Sequence, residues 1–77
     1  MLVQELASMR AEALFVSDLQ RSDAVTADLV REAVSRNVSR YGPRGLAARV
    51  AEEYGEHPEC AVGRMSWCLG TVELAYA

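Results

Sequence analysis

Apolar residues recur along this chain at spacings of three and four. Leu2, Leu6, Met9, Ala13 and Val16 form the first such face, that of a helix predicted over residues 2–19, and Leu14, Phe15 and Leu19 widen it toward its end. Residues 20–25, QRSDAV, are polar and irregular and read as a loop. Thr26 then offers an N-cap hydroxyl, with Asp28 in the first turn facing the positive helix end. The second predicted helix runs to about residue 41, with Val30, Ala33, Val34, Val38 and Tyr41 as its inner face. Gly42-Pro43 stops it, because glycine takes a left-handed cap and proline cannot continue the ladder.

A short third helix follows, from about residue 43 or 44 to 54, with Leu46, Ala47, Val50, Ala51 and Tyr54 as its stripe. Gly55-Glu56-His57-Pro58 is a four-residue break, in which Gly55 ends one helix and Pro58 opens the next. The fourth helix, residues 58–76, carries Ala61, Met65, Cys68, Val72 and Ala75 on one stripe, flanked by Val62, Trp67, Leu69 and Tyr76. Gly63 and Gly70 inside it each cost about 1 kcal/mol against Ala, and imply close approach of a neighbouring helix or a frayed end. Val50, Tyr54, Met65 and Trp67 or Cys68 are expected to join the third and fourth helices. No segment alternates with period two for long enough to make a strand. The pattern predicts an all-α fold: a compact bundle of four helices, the third short, with a helix–break–helix unit at residues 44–76 and a single domain over residues 1–77.

Seventy-seven residues allow one small core, worth about 4–8 kcal/mol of stability by per-residue scaling. The apolar fraction of 51% excludes disorder. The formal charge of −3 argues against a nucleic-acid binder. No apolar run reaches membrane-spanning length, and no basic region followed by an apolar stretch marks a signal peptide, so the cytoplasm is the expected location. All eight basic residues are Arg and there is no Lys or Ile, the composition of a GC-rich bacterial genome. Cys60 and Cys68 stand eight residues apart on one predicted helix, about 12 Å along its axis, too far for a disulfide. Cys68 is expected in the core and Cys60 at the surface.

Charge is unevenly placed. Arg36, Arg40, Arg44 and Arg49 fall between residues 33 and 51 without an acid, and Glu52, Glu53, Glu56 and Glu59 follow without a base. The simplest reading is a solvated face in which Arg49 pairs with Glu52 or Glu53. The functional reading is a patch of Glu52, Glu53, Glu56 and Glu59 that steers a complementary partner protein. A helix-turn-helix reading of residues 44–69 rests on Ala51, Gly55 and Ala61, with Arg44, Arg49 and Arg64 as its nucleic-acid contacts. Glu56 after Gly55, and a recognition helix with one Arg, stand against it. His57 and Cys60 have a spacing that suits one metal, but no further ligands lie nearby, and His57 before Pro58 reads more simply as a cap. One histidine, no phosphate-binding loop and no nucleophile elbow predict no catalytic residues, no cofactor and no enzyme. The expected function is a small non-enzymatic interaction or regulatory module, with a small DNA-binding transcriptional regulator as the alternative. The broad apolar arc of residues 2–19 also predicts a symmetric homodimer through the first helix.

The segments ALFVSDLQRSDAVTADLVREAV and RGLAARVAEEYGEHPECAVGRMSW resemble a small uncharacterised helical protein family of actinobacteria. The most specific pieces are Leu14-Phe15, the turn at 17–19, Gly45, the break at 53–58, Arg64-Met65 and Trp67. Leu46 corresponds to a position often occupied by Cys in that family, so a thiol is missing here. The resemblance implies a helical fold and an accessory role, and no activity or binding residue.

Overall fold

Nothing in LVQELASMRAEALF interrupts a backbone ladder, and helix α1 spans Leu2–Phe15. The computed structural model describes residues 2–77, with side chains from Glu5 onward, so Leu2 and Val3 lie outside the described side chains. The helix stops four residues before its predicted end. Ser17 is the cause: its Oγ donates to the Leu14 carbonyl at 2.6 Å and accepts the Leu19 N–H at 3.2 Å. That local bonding replaces the next helical turn. Burial also follows a different rule from the one expected. Ala11, Ala13, Leu14 and Phe15 are buried all round the helix, whereas Leu6 is 41% exposed and Met9 half-buried. The C-terminal half of α1 is wedged between the other helices, so position along the axis sets burial more than helical face does.

Helix α2 spans Ala27–Glu56. Thr26 caps it as expected, its side chain accepting the Leu29 N–H at 3.2 Å. Val30, Ala33 and Val34 are buried, and Val38 and Tyr41 pack partly buried against the core. The stop expected at Gly42-Pro43 is a kink. Gly42 takes φ 68° and ψ 170°, a region open essentially to glycine alone. Pro43 has a fixed φ suited to restarting a helix. The second and third predicted helices are thus two arms of one element, and the count of four helices is corrected to three. A Cβ at Gly45 would stand 3.1 Å from the Cβ of Tyr41, so the arms close tightly around this kink. In the second arm Leu46 and Val50 are buried, while Ala47, Ala51 and Tyr54 are exposed.

Gly55 does not end the helix. It keeps helical geometry, α2 continues to Glu56, and His57 alone separates it from α3, Pro58–Ala75. The four-residue break is therefore one residue. The α3 stripe of Ala61, Cys68, Val72 and Ala75 is buried as predicted, with Met65 and Trp67 only partly covered. Gly63 and Gly70 have nothing within 4 Å of where a Cβ would stand, so no neighbouring helix approaches them closely. Each helix packs on both others around Leu14, Val30, Leu46 and Cys68. The radius of gyration, 11.5 Å, equals that of a fully collapsed chain of this length, about 11.5 Å. The described residues contain no strand and no helix long and apolar enough to cross a membrane.

Candidate functional site

A helix end leaves its last four carbonyls without partners inside the helix. At the end of α1 all four are satisfied, three of them with a partner from a distance. The Glu12 carbonyl accepts the Val16 N–H at 3.1 Å. That of Ala13 accepts Asn37 Nδ2 of α2 at 2.9 Å. Those of Leu14 and Phe15 accept Arg64 Nη2 and Nε of α3 at 3.2 and 2.8 Å. The same guanidinium donates to the Ser17 carbonyl at 2.9 Å and the Leu19 carbonyl at 3.1 Å. Four of its five N–H groups are thus held by the turn after α1. Arg64 also lies 5.6 Å from the ring centroids of Phe15 and Trp67. Arg31 does a related job for α3, donating to the Ala75 carbonyl at 2.7 Å and pairing with Asp28.

The three arginines of the helix-turn-helix reading are therefore divided. Arg64 is half-buried and its guanidinium is engaged with backbone carbonyls. Arg44 is exposed. Arg49 is exposed and its guanidinium lies 4.2 Å from the Tyr41 ring centroid. The pairing of Arg49 with Glu52 or Glu53 does not form: among the described residues, ion pairs join only Arg31 to Asp28 and Arg36 to Glu32.

Glu52, Glu53 and Glu56 at the end of α2 and Glu59 at the start of α3 flank the single-residue break, the acidic corner of the molecule. His57 serves both helices through its backbone. Its N–H donates to the Glu53 carbonyl at 2.7 Å and its carbonyl accepts the Ala61 N–H at 2.9 Å. Its side chain caps nothing. All four carboxylates are exposed, and none has a cation within 4 Å among the described residues. Beside them a shallow cleft of about 240 Å³ is lined by Phe15, Val16, Arg49, Glu52, Glu53 and Arg64. Phe15 also stacks on Tyr54, with centroids 6.2 Å apart and planes at 14°. The corner thus sets exposed carboxylates beside a cleft of mixed lining, with Phe15 and Val16 among Arg49, Glu52, Glu53 and Arg64.

His57 and Cys60 are both exposed and line a dimple with Pro58 and Glu59. No cluster of three or more potential metal ligands stands together among the described residues. Both cysteines are free. Burial pushes the Cys68 thiol up to about 11, against the opposing pull of the Arg64 charge, so it stays protonated and inert at neutral pH.

The carbonyl bracket built by Arg64 and Asn37 escaped the sequence reading. Its signal was an omission: no glycine and no basic residue stands at the end of the first helix, so a donor from elsewhere was needed. The chain matches no family model, no curated protein and no solved structure. The family resemblance therefore brings no activity to this site.

Proposed function

We propose that the chain is a small non-enzymatic protein-interaction module whose acidic corner receives a basic segment of a partner. One observation carries this reading: Glu52, Glu53, Glu56 and Glu59 are all exposed with no cation within 4 Å among the described residues, and Glu52 and Glu53 line a cleft together with Phe15, Val16, Arg49 and Arg64. Carboxylates left unpaired on a fixed frame attract a complementary surface and set its register, while Phe15 and Val16 in the cleft offer some apolar contact. The cleft is too small and open for an enclosed reaction site, which needs about 300 Å³ or more. The second reading, a DNA-binding regulator at residues 44–69, has less support. Its recognition-helix cation, Arg64, is engaged with four carbonyls, and the acids at the break repel phosphates.

Replacing Glu52, Glu53, Glu56 and Glu59 together by Arg separates the two. Tagged parent and variant are compared for the chains they retain from native extract, with helical content followed by circular dichroism. A chain held by the parent and lost by a folded variant supports the module. Equal retention by both removes the acidic corner from the function. Salt-sensitive, sequence-selective DNA binding by the parent would overturn the reading in favour of the regulator.

A further inference from the structure

On the opposite side of α1 from the acidic corner's recess, α1 and α3 form the two walls of an apolar groove. Leu6, Ala7 and Arg10 line one wall, and Leu69, Glu73 and Tyr76 the other. Leu6 is 41% and Leu69 48% exposed, one from each wall, and Val62 continues the α3 wall one turn-pair earlier at 59%. Isolated exposed leucines are ordinary, but apolar side chains facing each other across a groove mark a contact surface. The groove also carries one charge of each sign on opposite walls. Arg10 belongs to α1, where its guanidinium is held 3.8 Å from the Tyr76 ring centroid. Glu73 belongs to α3, is exposed, and has no cation within 4 Å among the described residues.

We infer that this groove is the interface of a homodimer in which α1 of one copy lies on α3 of the other. The charge pattern selects the occupant. A two-fold axis running along the groove places each wall over the opposite wall of the partner. Arg10 then faces Glu73 of the second copy, twice, and the Leu6 and Leu69 walls cover one another. A uniformly basic or acidic partner would meet one like charge in the same groove, whereas a second copy meets none. Such an isologous arrangement is the commonest way for one surface to be self-complementary. A stable pair requires about 800 Å² from each copy, roughly 15% of the 5295 Å² that the chain exposes. The two helices reach this area only if the groove is engaged along much of the molecule's 28–30 Å width. The dimer expected from residues 2–19 alone therefore draws half its surface from α3. The inference is independent of the acidic corner.

The test uses the full chain and two variants, Arg10→Glu and Glu73→Arg, followed by sedimentation equilibrium from low micromolar to millimolar concentration. The parent is expected to dimerise within that range. Each variant alone brings like charges together in both pairs and is expected to weaken dimerisation about tenfold or more. An equimolar mixture of the two variants restores both opposite-charge pairs, so a heterodimer at near-parental strength is expected. A parent that stays monomeric at millimolar concentration overturns the inference, as does a mixture that associates no better than its components. Circular dichroism of each variant establishes that it is folded. If Arg10→Glu unfolds, Leu69→Gln takes its place, with tenfold weakening expected and unchanged association overturning the proposal.

Discussion

Arg64 is the side chain on which most of the structure converges. It bridges α3 to the end of α1 and to the turn beyond it, replacing partners that sequence-local capping would have supplied. Arg64→Ala should cost about 2–3 kcal/mol, the range for removing a charged donor from carbonyls, here those of Phe15, Ser17 and Leu19, that then lose it, while that of Leu14 keeps Ser17. Arg64→Lys should recover less than half of that, because one ammonium cannot span four carbonyls that a planar guanidinium reaches. Urea denaturation of the three proteins checks both statements. Cys68 gives a second test at this scale. Its folded thiol titrates near 11, above the ordinary value of 9.0. Between these values the unfolded chain has released a proton that the native protein still holds, so stability falls as pH rises through that window. The loss should reach the order of 2 kcal/mol near its upper end. Cys68→Ala should remove that component of the slope. At neutral pH a thiol reagent should modify Cys60 at once and Cys68 only on unfolding.

The helices themselves and the ends marked by Thr26, Pro58 and Tyr76 were legible in the sequence; the ends at Phe15 and Glu56 and the continuity across Gly42 were not. Thr26 as a cap, the inner face of Val30, Ala33 and Val34, and the stripe from Ala61 to Ala75 follow from local chemistry and period. The errors came where tertiary packing outweighs local preference. Gly55 has the chemistry of a stop, yet the helix passes through it because the first unpaired turn is not needed until His57. Gly42 has the same chemistry and does interrupt, because Pro43 removes the N–H that would have continued the ladder. The two kinds of glycine should respond oppositely to substitution. Gly42→Ala forces a Cβ into a glycine-only conformation and should destabilise by about 1–3 kcal/mol. Gly63→Ala lies in a helix interior with open space around it and should stabilise the monomer by about 0.5–1 kcal/mol. Thermal melts at dilute concentration distinguish the signs. The acidic corner was legible as a run of glutamates; the cleft beside it was not, since it needs Phe15, 37 residues before Glu52 in sequence, to reach the same place.

For the whole molecule, the core is small and its large members are few. Leu14 and Leu46 are fully buried, and Leu14→Ala or Leu46→Ala should each cost about 2–5 kcal/mol. That is a large fraction of the stability expected for a chain of this length. Met65, expected at the centre, is only partly covered, so Met65→Ala should cost clearly less than either leucine. A larger loss at Met65 than at Leu46 would mean that the packing described for α3 is wrong. Much of the remaining apolar surface is spent on the outside, at Leu6, Val62, Leu69 and Leu74. A bundle this size has little to lose before it unfolds, and association is one way to recover what its surface leaves uncovered.

The Arg64 bracket also has a consequence in time. Phe15 and Arg64 are 49 residues apart. A ribosome adding about 5–20 residues each second makes the second roughly 2–10 s after the first. Throughout that interval the carbonyls of Phe15, Ser17 and Leu19 lack the guanidinium that will later hold them, while Val16 and Ser17 already hold those of Glu12 and Leu14. The turn that follows the first helix therefore cannot settle early on its own. It waits for the last third of the chain, so that folding is deferred until almost the whole sequence has been made.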